Sequence, residues 1–126
     1  MTLKIAFLFA AFAGALGVAL GAFGAHGLRG SIEPRLMETF QTAVQYQMIH
    51  ALALLLLVLT TKLLGESLSF EISVYAFIAG IILFSGSLYG LVLTEMRWLG
   101  PVTPLGGLCF IVGWLALFVG GYQKIA

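Results

Sequence analysis

Charge is scarce in this sequence. Of 126 residues only 9% are Asp, Glu, Lys or Arg, whereas 61% are hydrophobic. A soluble domain of this length would leave much of that apolar surface in water, so the composition excludes the soluble globular class. Six basic and five acidic residues, spread singly, give a net charge of +1. This distribution predicts no basic patch for nucleic acid or for acidic lipid.

Cysteine and proline are also rare, with one and three residues. The single Cys109 excludes an internal disulfide, and we expect it to be a small packing residue inside a helix. His, Cys, Asp and Glu do not occur at metal-ligand spacing, so no metal or cofactor is predicted. No Ser or Cys stands in a recognisable arrangement with a base, and the glycines lie in apolar runs rather than phosphate-binding loops. Catalysis is therefore not expected.

What the sequence does have is long apolar runs, and four of them are separated by short polar gaps. The first, at about 21 residues, is too long for a signal-peptide core and is interpreted as a retained transmembrane helix. Lipid cannot bond to an exposed backbone, so all four should be helical. We predict a single all-α integral membrane domain over 1–126, a four-transmembrane-helix bundle with spans at about 5–25, 46–64, 72–94 and 104–122.

Residues 34–47, between the first two spans, are patterned as an amphipathic helix. Pro34 suits the first helical position, with Ser31 or Glu33 as cap. Apolar residues then recur at helical spacing opposite a polar side. The pattern predicts an amphipathic interfacial helix that either bends into the second span or continues straight into it. At the fourth span, Thr103 is predicted as N-cap and Pro104 as the first helical residue.

Four spans place both termini and the Lys62 loop at one membrane face, and the amphipathic segment and the Arg97 loop at the other. The positive-inside rule does not separate the two orientations. Three lysines on one face balance three arginines on the other: Lys4, Lys62, Lys124 against Arg29, Arg35, Arg97. The position of Lys4 beside the first span slightly favours cytoplasmic termini.

Small residues recur every three or four positions on three of the spans, the spacing that lets helix backbones approach closely. We predict a compact bundle with the first span well packed inside it. The predicted helix-packing glycines are Gly14, Gly17, Gly21, Gly24, Gly86, Gly90, Gly106, Gly113 and Gly120.

Unusual polar residues gather on the face that holds the long loop. The candidate polar cluster comprises His26, Glu38, Tyr46, Gln47, His50, Glu95, Arg97 and Thr103. Histidine near a membrane boundary can titrate or bind a metal or haem iron, and ionisable groups within spans often mark functional sites. The structural alternative is favoured for both histidines: His26 can cap the end of the first span, and His50 can bond to a neighbouring helix.

Several motifs together resemble one family. They are Gly21-Ala22-Phe23-Gly24-Ala25-His26-Gly27-Leu28, the run Phe40 to Ala53, Arg97-Trp98-Leu99-Gly100, Thr103-Pro104-Leu105-Gly106-Gly107 and Gly113-Trp114. In this order they resemble the YgdD/YwdK family of small bacterial membrane proteins, domain of unknown function 423. The resemblance implies a multi-pass protein with four spans and assigns no catalytic or binding role to any residue.

The function favoured by these observations is that of a structural or accessory protein of the bacterial cytoplasmic membrane. It would act through helix contacts in a homo-oligomer or a larger membrane complex. The alternative is a conduit, or a protein that binds a metal, haem or lipid through the polar cluster. The lipid bilayer is its expected surrounding, and nucleic acid is not an expected partner.

Overall fold

The computed structural model describes residues 3–126, and all regular structure within that range is helical. Four continuous helical stretches are long and apolar enough to cross a membrane: Leu3–Leu28, Pro34–Leu64, Leu68–Thr94 and Arg97–Lys124. The helices within them are α1 (Leu3–Phe23), α2 (Pro34–Leu64), α3 (Leu68–Gly80), α4 (Gly86–Thr94) and α5 (Val102–Lys124). The prediction of an all-α, four-span membrane protein is confirmed.

Two of the helical stretches include π-helical turns, and a short 3-10 turn precedes the last helix. One π-turn, Gly24–Leu28, extends α1, and another, Ile81–Ser85, joins α3 to α4. We call the whole stretch Leu68–Thr94 the third span. The 3-10 turn is Arg97–Leu99. A π-turn widens a helix by one residue and commonly redirects side chains at functional sites.

The helices pack as two pairs, α1 against α2 and the third span against α5, and the pairs meet between α2 and the third span. These two central helices are the more buried, with 44% and 39% of their most apolar stretches covered by protein, against 22% for the first span and 17% for the last. The prediction that the first span is packed inside the bundle is therefore wrong. Only one side of α1 contacts the protein, mainly at α2, and the rest faces outward.

The amphipathic segment and the second span are one uninterrupted helix, α2. It begins at Pro34 after the capping position Glu33, whose side chain makes no capping hydrogen bond. The apolar side of the segment does not lie along the membrane surface, because Met37, Phe40 and Ala43 are buried against other helices. Of the two arrangements that the pattern allows, the structure has the straight one.

Two helix starts differ from those expected. The third span begins at Leu68 rather than near 72, because the Ser67 hydroxyl accepts a hydrogen bond from the Phe70 backbone N–H at 3.1 Å. The last helix begins at Val102, so Thr103 lies inside it and does not cap it. The Thr103 hydroxyl instead pairs with the Ser87 hydroxyl at 2.6 Å and links α5 to α4.

A ladder of glycines and phenylalanines joins α5 to the third span. Three glycines of α5 each face a phenylalanine, with seven-residue steps along both antiparallel helices: Gly106 with Phe84, Gly113 with Phe77 and Gly120 with Phe70. A Cβ added at Gly113 or Gly120 would lie 2.5 Å from the facing ring, and one added at Gly106 would meet the Phe84 backbone. Seven residues are two helical turns, so the two helices stay in contact along their length.

The seam between α1 and α2 is built in the same way. Gly17 faces Met48, Gly21 faces Val44 and Gly24 faces Phe40. On the third span, Gly90 faces Leu99 of the 3-10 turn. The remaining two predicted packing glycines, Gly14 and Gly86, face open space within the single chain. Gly86 lines a cavity between the third span and α1, so the two helices do not touch at this glycine.

The charges are distributed by membrane face as the four-span topology requires. Lys4 and Lys62 line one small cavity at the end where α1 begins, and the Lys124 amine lies close to Gly65 at the same end. Arg35 and Arg97 line a cavity at the opposite end. Arg29, which follows the first span, is also at that end, so the three-to-three balance holds in space as well.

Candidate functional site

One group of polar side chains bonds within the interior, between the two pairs of helices. The Gln47 amide donates to the Ala13 carbonyl at 2.7 Å and accepts from the Tyr89 hydroxyl at 2.5 Å. Ser85, in the π-turn of the third span, donates to the Ala43 carbonyl at 2.7 Å. These bonds tie α1, α2 and the third span together through the buried side chains of Gln47 and Ser85.

A second group is centred on His50, which is buried between α2, α3 and α5. Its Nδ1 lies 2.8 Å from the Tyr46 carbonyl one turn earlier, and its Nε2 lies 3.0 Å from the indole Nε1 of Trp114. The imidazole stacks on the Phe110 ring, with centroids 3.6 Å apart and an interplanar angle of 11°. Phe77 and Trp114 meet it edge to face.

The hydrogen bonds define the state of this histidine. An indole N–H can only donate, so Nε2 of His50 must accept and carries no proton. Nδ1 then carries the proton and donates to the Tyr46 carbonyl. The imidazole is neutral, and both nitrogens are used within the protein. His50 is thus a fixed part of the aromatic packing rather than a free ligand for a metal.

Next to this histidine, a groove opens between α2 and α5 toward the lipid-facing surface. It has a volume of 610 Å³, which is within the range of small-molecule sites. We call it the aromatic groove, and its lining residues are Tyr46, His50, Phe84, Pro104, Gly107, Leu108, Phe110, Ile111 and Trp114.

The ring-bearing walls of the aromatic groove are continuous. Tyr46 and Phe84 have ring centroids 4.6 Å apart, and Phe84 and Phe110 are 5.5 Å apart. Tyr46 and Trp114 remain 39% and 44% exposed. Because His50 and Trp114 bond to each other, the Tyr46 hydroxyl is the side-chain group of the lining that can bond to an occupant.

The structure divides the predicted polar cluster rather than bringing it together. Tyr46 and His50 meet at the aromatic groove, Gln47 faces the interior, and Glu95 and Arg97 line a separate cavity near the loops. Thr103 bonds to Ser87, and Glu38 is exposed at the surface.

His26 is exposed in the π-turn at the end of the first span, far from His50. Gly24 packs on Phe40, which precedes His50 by about 15 Å along the α2 axis. The two histidines therefore share no cavity. Among residues 3–126, His, Cys, Asp and Glu side chains form no group of three that could hold a metal ion.

Five residues of these two groups were not predicted as site residues: Phe77, Ser85, Tyr89, Phe110 and Trp114. The sequence does hold a signal for Trp114, because tryptophan usually marks the membrane surface and this one stands near the middle of its span. Phe110 precedes it by one turn on the same side of α5. Ser85 and Tyr89 had no comparable signal, since single hydroxyls are common in transmembrane helices.

These features define the class: an all-helical, multi-pass protein of the cytoplasmic membrane, with several buried polar side chains bonded between helices. The chain belongs to the family described as "Protein of unknown function (DUF423)", whose model matches residues 20–107. The resemblance inferred from the motifs is thereby confirmed.

Three relatives illustrate the match. The UPF0382 membrane protein YwdK of Bacillus subtilis is 42% identical, over 98% of this chain and 100% of its own length. A UPF0382 membrane protein of Staphylococcus aureus is 40% identical over 96% and 98%, and one of Haemophilus influenzae is 37% identical over 90% of each chain. No solved structure matches the chain. The family description names no enzymatic activity.

Proposed function

We propose that this membrane protein binds a lipid-soluble molecule with a flat ring in the aromatic groove. The observation that carries the proposal is the groove itself, a 610 Å³ recess walled by five aromatic residues and open toward lipid. Flat rings stack favourably on such walls at centroid distances of about 4.5 to 7 Å. The Tyr46 hydroxyl would donate a hydrogen bond to a carbonyl or ether oxygen of the ring.

A ring fits this recess better than a saturated chain, because of two features of its lining. Gly107 leaves the Phe84 ring uncovered on the groove side, since a Cβ there would lie 3.9 Å from Phe84. His50 is held rigidly by two hydrogen bonds, so the wall is preorganised rather than adaptable. Preorganised walls favour a rigid occupant, which loses little conformational entropy on binding.

The packing of the interior does not favour a conduit for ions. Within residues 3–126 every buried side-chain nitrogen and oxygen has a hydrogen-bond partner. Large apolar side chains, among them Leu54, Leu57, Phe70 and Phe77, fill the space between the central helices. A path for ions would have to break these bonds and open this packing.

The binding proposal can be tested through Trp114, which lines the groove. The variant Trp98→Phe removes the other tryptophan, which is 66% exposed outside the groove, so that Trp114 alone reports fluorescence. We expect a decyl benzoquinone to quench Trp114 saturably in detergent, and an excess of decanol, which has the chain without the ring, to leave this quenching unrelieved. Linear quenching that never saturates would contradict a bound state.

A matched pair of variants places the binding in the groove. Gly107→Leu puts a side chain into the recess and should raise the Kd of the quinone by at least about tenfold. Gly14→Leu adds the same side chain at a position with open space and outside the groove, and should leave the Kd unchanged. Equal Kd values for the two variants would overturn the assignment.

A second candidate function, helix contact with another copy, is supported by the outer face of α1. Its outward side carries a strip of small residues at helical spacing, of which Gly14 is half-buried and the others are exposed: Ala11, Gly14, Ala15, Val18, Ala22 and Ala25. Such strips permit close helix approach in lipid. If this strip forms a homo-oligomer, native mass spectrometry in mild detergent should show an oligomer that Gly14→Leu dissociates and Gly107→Leu does not. A monomer in the unmodified protein would exclude this candidate.

A further inference from the structure

Two arginines that are distant in sequence lie on one cavity at the loop end of the bundle. Arg35 is in the first turn of α2, and Arg97 begins the 3-10 turn after α4. The cavity between them has a volume of 480 Å³, and its other lining residues are Leu36, Thr39, Leu91 and Glu95. The sequence predicts no basic patch because its charges are spread singly, yet the fold brings these two together.

The charges that face this cavity sum to about one positive charge. Two guanidinium groups are opposed by the Glu95 carboxylate. Glu95 ends α4 and has a left-handed backbone conformation with φ of 56°. Arg35 also lies 3.8 Å from the Glu33 carboxylate in an exposed pair. Exposed pairs of this kind are weak, so Arg35 can exchange this partner for a better one at little cost.

The position and the lining of the cavity specify the kind of ligand. It lies where α2 begins and α4 ends, at the level where lipid headgroups meet water. Leu36 and Leu91 add apolar surface beside the charges, which suits a molecule that is part polar and part hydrocarbon. Guanidinium groups bind phosphate oxygens through paired hydrogen bonds, and a phosphodiester carries the single negative charge that this site balances.

We propose that Arg35 and Arg97 bind the phosphodiester headgroup of an anionic phospholipid, with Glu95 limiting the site to one negative charge. Thr39 lines the same cavity. Its hydroxyl donates a hydrogen bond to the Arg35 carbonyl at 3.1 Å. The site does not include any residue of the aromatic groove, so it does not depend on what the groove binds.

The test uses the purified full chain and native mass spectrometry with equimolar phosphatidylglycerol and phosphatidylcholine. The expected result is retention of phosphatidylglycerol about tenfold above phosphatidylcholine. The double variant Arg35→Gln, Arg97→Gln should abolish this preference. Arg29→Gln, an exposed arginine at the same end but outside the cavity, should keep it. Equal retention of the two lipids by the unmodified protein, or a preference that survives in the double variant, would overturn the proposal.

Two further arms keep the result interpretable. Glu95→Gln removes the opposing charge and should strengthen phosphatidylglycerol retention, an effect that loss of folding cannot produce. Unchanged or weaker retention in this variant would contradict the role of Glu95. Inorganic phosphate added in excess should not displace the lipid. If phosphate displaced the lipid, the site would be one for free phosphate, and the proposal that it binds a phospholipid would be overturned. Fluorescence quenching of Trp114 by the quinone should be the same in all these variants.

Discussion

At the scale of single residues, the stability of this protein depends on polar side chains that bond across helices. Gln47 is the clearest case, because its amide uses both its ends, toward Ala13 of α1 and Tyr89 of α4. His50, three residues further along α2, likewise uses both ring nitrogens, toward Tyr46 and Trp114. In lipid no water can replace these partners, so each bond specifies which faces of the helices meet.

Replacement of Gln47 should weaken the contact between α1 and the rest of the bundle. Gln47→Leu removes the bond to Ala13 and leaves the Tyr89 hydroxyl without its acceptor. We expect a loss of about 1 kcal/mol in the free energy of unfolding, the usual scale for such bonds in membranes. Gln45→Leu, at an exposed position of the same helix, is the control. Denaturation in mixed detergent micelles measures both, and equal stabilities would contradict the structural role of Gln47.

At the scale of helices, the structure depends on how closely the backbones approach. In the ladder, glycines of α5 pack against phenylalanines of the third span. The roles are exchanged at one position, where Phe110 of α5 packs on Gly80 of α3. A Ser73 hydroxyl bonded to the Gly113 carbonyl at 2.8 Å strengthens the same contact. Phe110 thus supports the helix pair on one side and the His50 ring on the other, so the ladder also holds the groove in shape.

Two adjacent glycines of α5 allow a direct comparison. Gly106→Ala places a methyl group against the Phe84 backbone, which cannot move aside without shifting a helix. Gly107→Ala places the same group 3.9 Å from the Phe84 ring, at ordinary contact distance. We expect Gly106→Ala to lower the unfolding free energy by about 1 to 3 kcal/mol and Gly107→Ala to change it little. Thermal unfolding in detergent distinguishes them, and similar melting temperatures would refute the ladder.

The sequence predicts the helices better than it predicts their contacts. Apolar length gives four spans. At seven of the nine glycines predicted to pack, an added Cβ would meet another residue. It does not show that no side chain packs on Gly14 or Gly86, because both faces of a helix in lipid are apolar and the pattern carries no inside or outside signal. For the same reason, the sequence places the first span inside the bundle, although it is an outer helix.

The candidate site could be predicted only in part. Tyr46 and His50 are identified by their polarity within an apolar run, but their partners Phe110 and Trp114 come from a helix some sixty residues later. A contact at that separation depends on the register between helices, which the composition of one span does not contain. His26 and His50 were grouped because both are polar residues near one membrane face. They lie at different levels along the bundle axis, and the sequence of a single span does not give that level.

At the scale of the whole molecule, the two ends and the middle differ in chemistry. Lysines lie at the end where α1 begins, arginines lie at the opposite end, and bonded polar groups with the aromatic groove lie between them. The cavity at the arginine end and the aromatic groove are separate and share no lining residue. Together, the two proposals assign two kinds of lipid-phase ligand to the outer surface of this small membrane protein.

The central claim, that the aromatic groove binds a flat ring, can be tested most directly by mapping a photoreactive benzoquinone with a decyl chain. After irradiation in liposomes that contain the purified protein, peptide mass spectrometry identifies the labelled residues. We expect label on Tyr46, on Trp114 and on neighbouring residues of α5. This label should be lost in Gly107→Leu and kept in Gly14→Leu. Label spread evenly over the exposed residues of all four spans, or unchanged in Gly107→Leu, would contradict it.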